Sequence, residues 1–148
     1  MILFVDTSVL VKLYIAEPGS ERMRKLVQEG RIAVSLLAFA EMHATFARRH
    51  REELLLISEL EELQRRFGED WEELMQVSIG SEVLGFVPEL CTRHPLRGAD
   101  AIHLASALLL RREGLETIFA CSDGRLLAAA AAEGLSILDP VQEALDGP

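Results

Sequence analysis

Four acidic residues stand where a folded chain could put them to chemical use. Asp6 directly follows the apolar run Ile2–Val5, Asp123 follows a second run ending at Cys121, Asp100 opens a strongly apolar helical segment, and Glu41 lies inside another. Carboxylates that converge from such separate stretches can ligate a hard cation, position a water or take a proton. Taken one at a time, each has a plainer use. An Asp ahead of a helix is an ordinary N-cap and suits the positive end of the helix dipole, which would account for Asp6, Asp100 and Asp123. Glu41 is too deep in its helix to cap it and could simply be solvated. His103 lies one turn beyond Asp100, but a lone His on an apolar helix face reads first as a core residue. Ser8 could reach an acidic side chain, although a place in the first helical turn is explanation enough. Two basic clusters, Arg48-Arg49 with Arg51 and Arg93-His94 with Arg97, could hold phosphates; cations at a helix C-terminus or in a charged turn need no such ligand. Only the combination of acids points to a site.

The elements that would position these residues alternate between strand and helix. Ile2–Val5 is too short for a helix and too continuously apolar for a half-exposed strand, so it reads as a central parallel strand. Val9, Leu10, Leu13 and Tyr14 give helical spacing over Thr7–Ala16, which stops near Pro18-Gly19; Ser20 is expected to cap a second helix that runs to Glu29 and ends at Gly30. Arg31–Val34 reads as a strand, Ser35 as the cap of a helix over Leu36–His50, and Glu52–Phe67 as an amphipathic helix with Leu54, Leu55, Leu60 and Leu63 inward, broken by Gly68. Leu74–Ile79 is a third strand, Ser81–Thr92 a helix interrupted or ended near Pro88, and Gly98–Arg112 a further helix. Glu116–Cys121 and Leu135–Leu138 read as strands flanking the alanine-rich helix Gly124–Glu133, closed by Gly134, with a short polar tail at Asp146–Pro148. This alternation predicts an α/β sandwich. Ligand sites in such sheets lie beyond the carboxyl ends of the strands, where the strand order reverses, so Asp6 and Asp123 should emerge on one edge.

The 148 residues suit one domain, and 49% hydrophobic residues with only 5% aromatics predict a core of Leu, Ala, Val and Ile. The amino-terminal segment lacks a signal-peptide pattern, and the weakly polar stretches fall short of a bilayer span, so a cytoplasmic protein is expected. Cys91 and Cys121 lie far apart without zinc spacing and are expected to be reduced and buried. The net charge of −9 opposes the usual electrostatic grip on nucleic acid, so any such role must use local basic patches.

Several stretches together resemble a known family. Phe4-Val5-Asp6-Thr7-Ser8-Val9-Leu10-Val11-Lys12-Leu13-Tyr14 followed by Glu17-Pro18-Gly19-Ser20 is similar to the opening of bacterial VapC-type PIN domains. The stretches around Ala40-Glu41-Met42, Arg97-Gly98-Ala99-Asp100-Ala101-Ile102-His103 and Ser122-Asp123-Gly124-Arg125 resemble the family's second, third and fourth acidic motifs, in order and spacing. The resemblance implies a single PIN-like domain over residues 1–148, a three-layer α/β/α sandwich around a mostly parallel sheet of four or five strands. It further implies an endoribonuclease dependent on Mg²⁺ or Mn²⁺, the toxin of a toxin–antitoxin pair, with RNA, transfer RNA included, as substrate. A small antitoxin and a second copy of the chain are the implied partners. Asp6, Glu41, Asp100 and Asp123 would be the catalytic and metal-binding residues, with Asp6 and Asp100 as principal ligands and the other two positioning an ion or the attacking water. Crowded carboxylates repel unless a cation neutralises them, and all-oxygen donors suit hard cations better than zinc. One departure is Cys121, where the family often has a hydroxyl residue; Ser122 supplies a hydroxyl next door. Arg51–Gly80 carries little of the resemblance.

Two other readings are open. A phosphate-transferring α/β domain with Asp6 as acceptor would want a second Asp where Ser8 stands, or an acidic pair near the first strand with a late Lys. A PIN-like interaction module without hydrolysis would keep the fold alone.

Overall fold

The computed structural model describes residues 1–142, and the polar tail at Asp146–Pro148 lies outside them. Five parallel strands, β1 Ile2–Val5, β2 Arg31–Ser35, β3 Met75–Val77, β4 Thr117–Ala120 and β5 Ser136–Leu138, form one sheet in the order β3-β2-β1-β4-β5. The chain moves outward from β1 through β2 to β3, then returns to the other side of β1 with β4. The order therefore reverses between β1 and β4, whose paired residues run from Ile2 with Thr117 to Val5 with Ala120.

Alternation along β1 divides the core. Ile2 and Phe4 face one side with Phe119, Leu104, Leu108 and Leu126. Leu3 and Val5 face the other with Met23, Met42, Phe46, Phe67 and Trp71. Helices α5 Ser81–Arg93, α6 Gly98–Arg112 and α7 Gly124–Ala132 supply the first side; α1 Thr7–Leu10, α2 Ser20–Leu26, α3 Leu37–Arg51 and α4 Ile57–Trp71 supply the second. This is the expected three-layer α/β/α sandwich, with strands buried on both faces as parallel strands require.

Several boundaries differ from the sequence reading. The helix expected over Thr7–Ala16 is only the short α1 and a 3₁₀ turn over Val11–Leu13. Pro18 disfavours a helical residue before it, and the chain turns at Gly19, whose φ of +93° suits glycine. Ser20 does not cap α2, since its Oγ faces back to accept from the Glu17 N–H and donate to the Ile15 carbonyl. The segment expected to join Glu52–Phe67 is a turn as far as Leu56, with Leu54 63% and Leu56 69% exposed. Helix α4 then continues past Gly68 to Trp71. Leu60, Leu63, Phe67 and Trp71 form its buried stripe, while a Cβ at Gly68 would meet nothing within 4 Å; the glycine costs about 1 kcal/mol of helix propensity, which that stripe outweighs. Likewise α5 runs through Pro88 to Arg93, held by buried Val83 and Leu90. Cys91, expected to be buried, is exposed; Cys121 is buried, and both are free. Among the described residues no helix is long and apolar enough to cross a membrane.

Candidate active site at the carboxyl edge of the sheet

Asp6 and Asp123 straddle the strand-order reversal, one immediately after β1 and the other after β4. The Asp6 backbone N–H still donates to the Ala120 carbonyl of β4, so the aspartate is fixed to the sheet itself. Its side chain is buried and caps α1: Oδ1 accepts from the Val9 N–H at 3.2 Å and the Ser8 hydroxyl at 2.7 Å. Burial pushes the Asp6 carboxyl above its ordinary range, and the Ser8 hydroxyl, the charge of His103, the Cys121 thiol and the Val9 N–H only partly offset this. A buried carboxylate with no cationic side chain bonded to it is costly to ionise.

Glu41 projects from α3 toward the same region. Its Oε1 accepts from the Thr7 hydroxyl at 2.8 Å and from His103 Nε2 at 2.6 Å. The bond from His103 does most to hold the Glu41 carboxyl below its usual range, with Thr7 adding to it against a partial burial cost. As a carboxylate Glu41 can only accept, so the His103 proton sits on Nε2; Nδ1 is buried without a partner among the described residues. The His103 ring also meets Phe4 edge-on, its centroid 6.5 Å away. His103 is thus a core residue, as its sequence setting suggests, and a polar one that orients Glu41.

Asp100 and Asp123 form a more open half. Both line a cavity of ≈ 560 Å³ with Pro95, Arg97, Gly124 and Arg125. Asp123 caps α7 through Oδ1, which accepts from the Arg125 N–H at 2.8 Å and the Leu126 N–H at 3.4 Å. Asp100, in the first turn of α6, has no hydrogen bond to its carboxylate among the described residues. Two links join the halves: the Ser8 hydroxyl that donates to Asp6 also accepts from the Ser122 N–H at 3.3 Å, and His103 stands three residues after Asp100 on α6. The four acids therefore share one edge as two linked pairs. As they stand, no three His, Cys, Asp or Glu side chains among the described residues form a ready metal cluster.

The departure at Cys121 has a visible consequence. The thiol sulfur accepts from the Asp123 N–H at 3.2 Å and sits 3.6 Å from the Asp123 carbonyl, so it braces the turn that carries the acid. Burial, with the charge of Asp6 behind it, pushes this thiol well above its ordinary range, so it stays protonated. Ser122 does not replace it: its buried Oγ has no partner among the described residues.

The basic clusters fare unequally. Arg49 pairs with Glu17, and Arg93 and His94 both engage Glu133. Only Arg97 of those residues lines the cavity, where it is joined by Arg125. Sequence reasoning passed over Thr7 and Arg125; each is next to or near a candidate acid in the chain, and that adjacency was the available signal.

A family profile described as PIN domain matches residues 3–132. The chain belongs to the PIN-domain family. All four acids fall inside the matched span, whereas β5 lies beyond it. The PIN domain is 35% identical to the ribonucleases named VapC45 and VapC49 from Mycobacterium tuberculosis over 144 residues, covering 94% of this chain and 99% of each relative. Its fold is similar to that of a solved toxin-antitoxin complex from Klebsiella pneumoniae, with a TM-score of 0.66 at 20% identity, covering 95% of this chain and 98% of that one.

Proposed function

We propose that this PIN domain is a metal-dependent endoribonuclease, the toxin of a toxin–antitoxin pair, with Asp6, Glu41, Asp100 and Asp123 as its metal-binding and catalytic residues. One observation carries the reading. The N–H and O–H bonds to Asp6, Glu41 and Asp123 all fall on a single oxygen, and Asp100 receives none among the described residues, so every acid at this edge keeps an oxygen free of such donors. Hard oxygen donors of that kind fit Mg²⁺ or Mn²⁺. Among the described residues the acids do not form a ready three-ligand cluster, so a cation would have to draw them together.

Asp6 and Asp100 would hold the cation, which when bound would supply charge neutralisation and Lewis-acid polarisation of a phosphate. The protein's part is placement. The sheet and α1 fix Asp6, and Ser8 fixes its rotamer. Thr7 and His103 leave Glu41 ionised with Oε2 available to orient the attacking water and take its proton. Asp123 presents Oδ2 while Oδ1 stays bound to α7. Protein partners of antitoxin type and a second copy of the chain are proposed for the apolar surface around Leu54, Leu56 and Ile57, which is exposed. A cytoplasmic setting suits a protein acting on cellular RNA. Support comes from the relatives named as ribonucleases and the similar toxin-antitoxin complex.

The test uses the purified chain, free of any partner, with RNA and Mn²⁺, beside Asp6→Asn and Asp100→Asn. Cleavage by the parent that chelation stops and both variants lose supports the proposal. Equal background cleavage in all three would leave an interaction module that has kept only the fold.

A further inference from the structure

Arg97 and Arg125 stand where elementary electrostatics would not put them. Arg97 is the N-cap residue of α6 and Arg125 the second residue of α7. A helix N-terminus carries positive partial charge, so an arginine there is mildly unfavourable; the dipole argument that explains Arg48, Arg49, Arg93, Arg111 and Arg112 near helix C-termini runs the other way. Neutralisation of the acids beside them would be one reason. Yet among the described residues neither arginine forms an ion pair with Asp100 or Asp123; Arg48, Arg51 and Arg66 also lack one, while Arg49, Arg65, Arg93 and Arg112 are paired, so what sets Arg97 and Arg125 apart is their position. Both exposed side chains instead line the ≈ 560 Å³ cavity that holds Asp100 and Asp123. That volume is in the range of small-molecule sites.

Two guanidinium groups that pair with no carboxylate among the described residues, on separate helices that open on the same acid-lined cavity, make a place for an anion on a chain whose net charge is −9. We propose that Arg97 and Arg125 bind backbone phosphates of the RNA strand on either side of the one being cleaved, so that the strand lies across Asp100 and Asp123. This rests on the ribonuclease reading above. Planar guanidinium groups bind phosphate oxygens in a bidentate fashion and read no base, so the grip places any single-stranded sequence and leaves sequence choice to other contacts. It also resolves the charge problem: a local pair of cations at the acidic edge does what overall charge does in a basic protein.

The test compares Arg97→Gln, Arg125→Gln, the double variant and the two Arg→Lys forms with the parent chain, and with Arg65→Gln, an exposed arginine of α4 outside the cavity. Each Gln variant is expected to raise KM for a single-stranded RNA about tenfold, with kcat changed much less and melting temperature unchanged. Binding of the same RNA to these variants in an Asp6→Asn background should lose about 0.7 from the salt-dependence slope per arginine, while Lys restores the slope and Arg65→Gln matches the parent. A parent that cleaves RNA while the Gln variants keep its KM and slope overturns the phosphate grip alone. A raised KM that excess Mn²⁺ repairs assigns the arginines to the acids and overturns it as well. A parent that neither cleaves nor binds RNA overturns this proposal together with the reading beneath it.

Discussion

The two halves of the acidic edge differ in how far the protein has committed them. Asp6 and Glu41 are held by four hydrogen bonds from Thr7, Ser8, Val9 and His103, on elements packed against the central strand. Asp100 and Asp123 face an open cavity flanked by two arginines, and among the described residues only the Asp123 carboxylate is hydrogen-bonded, through its cap. The first half is built before any ligand arrives. The second has room for one. A fixed pair sets where charge must be neutralised, and an open pair admits a substrate whose own phosphates share that neutralisation.

The largest expected effect separates the halves by stability. Asp6→Asn should lower cleavage by at least about 100-fold, since a ligand's share in charge stabilisation is worth several kcal/mol, and should raise the melting temperature of metal-free protein. The sign follows from burial. The folded Asp6 carboxyl titrates above its ordinary value of 3.8, so the folded state holds its proton more tightly than the unfolded state. Stability then falls as pH rises from that value through the folded one. The gain in Asp6→Asn should therefore be absent well below pH 3.8 and grow above it, read as a rise in melting temperature in calorimetry. Asp100→Asn, at a half-exposed position, should lose cleavage without that gain. Equal thermal shifts in the two variants would contradict the contrast between a committed half and an open one.

A smaller effect tests the support of Glu41. Thr7→Val and His103→Leu should each reduce kcat by about 10–100-fold, the usual range for residues that orient a ligand side chain. Thr7→Ser should restore most of the activity. The lowered Glu41 carboxyl contributes stability that is present above its ordinary 4.5 and lost as pH falls through the folded value. Acid unfolding below pH 4.5 should therefore begin at higher pH in the His103 variant. An unchanged kcat would make His103 a packing residue under Phe4 and nothing more.

The committed half was also the more legible in sequence. A short apolar run that ends in Asp6 specifies a buried parallel strand with an acid at its tip, and parallel topology then brings Asp123 to the same edge. Glu41 was found through the family motif, while its partners Thr7 and His103 are 34 and 62 residues away in the chain, a separation over which periodicity carries no signal. Boundaries failed where tertiary packing outweighed local preference: Gly68 and Pro88 lie inside helices because buried stripes hold them there. At Ser20 the hydroxyl serves the preceding turn instead of its own helix. Arg97 and Arg125 come from segments 28 residues apart and meet only because the fold opens α6 and α7 on one cavity.

Asp123 gives the finest test, because its two oxygens have separable duties. Oδ1 caps α7, and an amide can do that as well as a carboxylate. Asp123→Ala removes the cap and should cost about 1 kcal/mol, or about 2–4 °C; Asp123→Asn should leave the melting temperature within about a degree of the parent. If Oδ2 serves the ion, both variants should lose about tenfold in activity despite their different stabilities, and added Mn²⁺ should recover part of the loss. The ratio of their activities therefore decides the role of this residue. A ratio near one assigns Asp123 to the chemistry, and a parent-like Asp123→Asn with only the alanine form impaired reduces it to the helix cap that its position after β4 already explains.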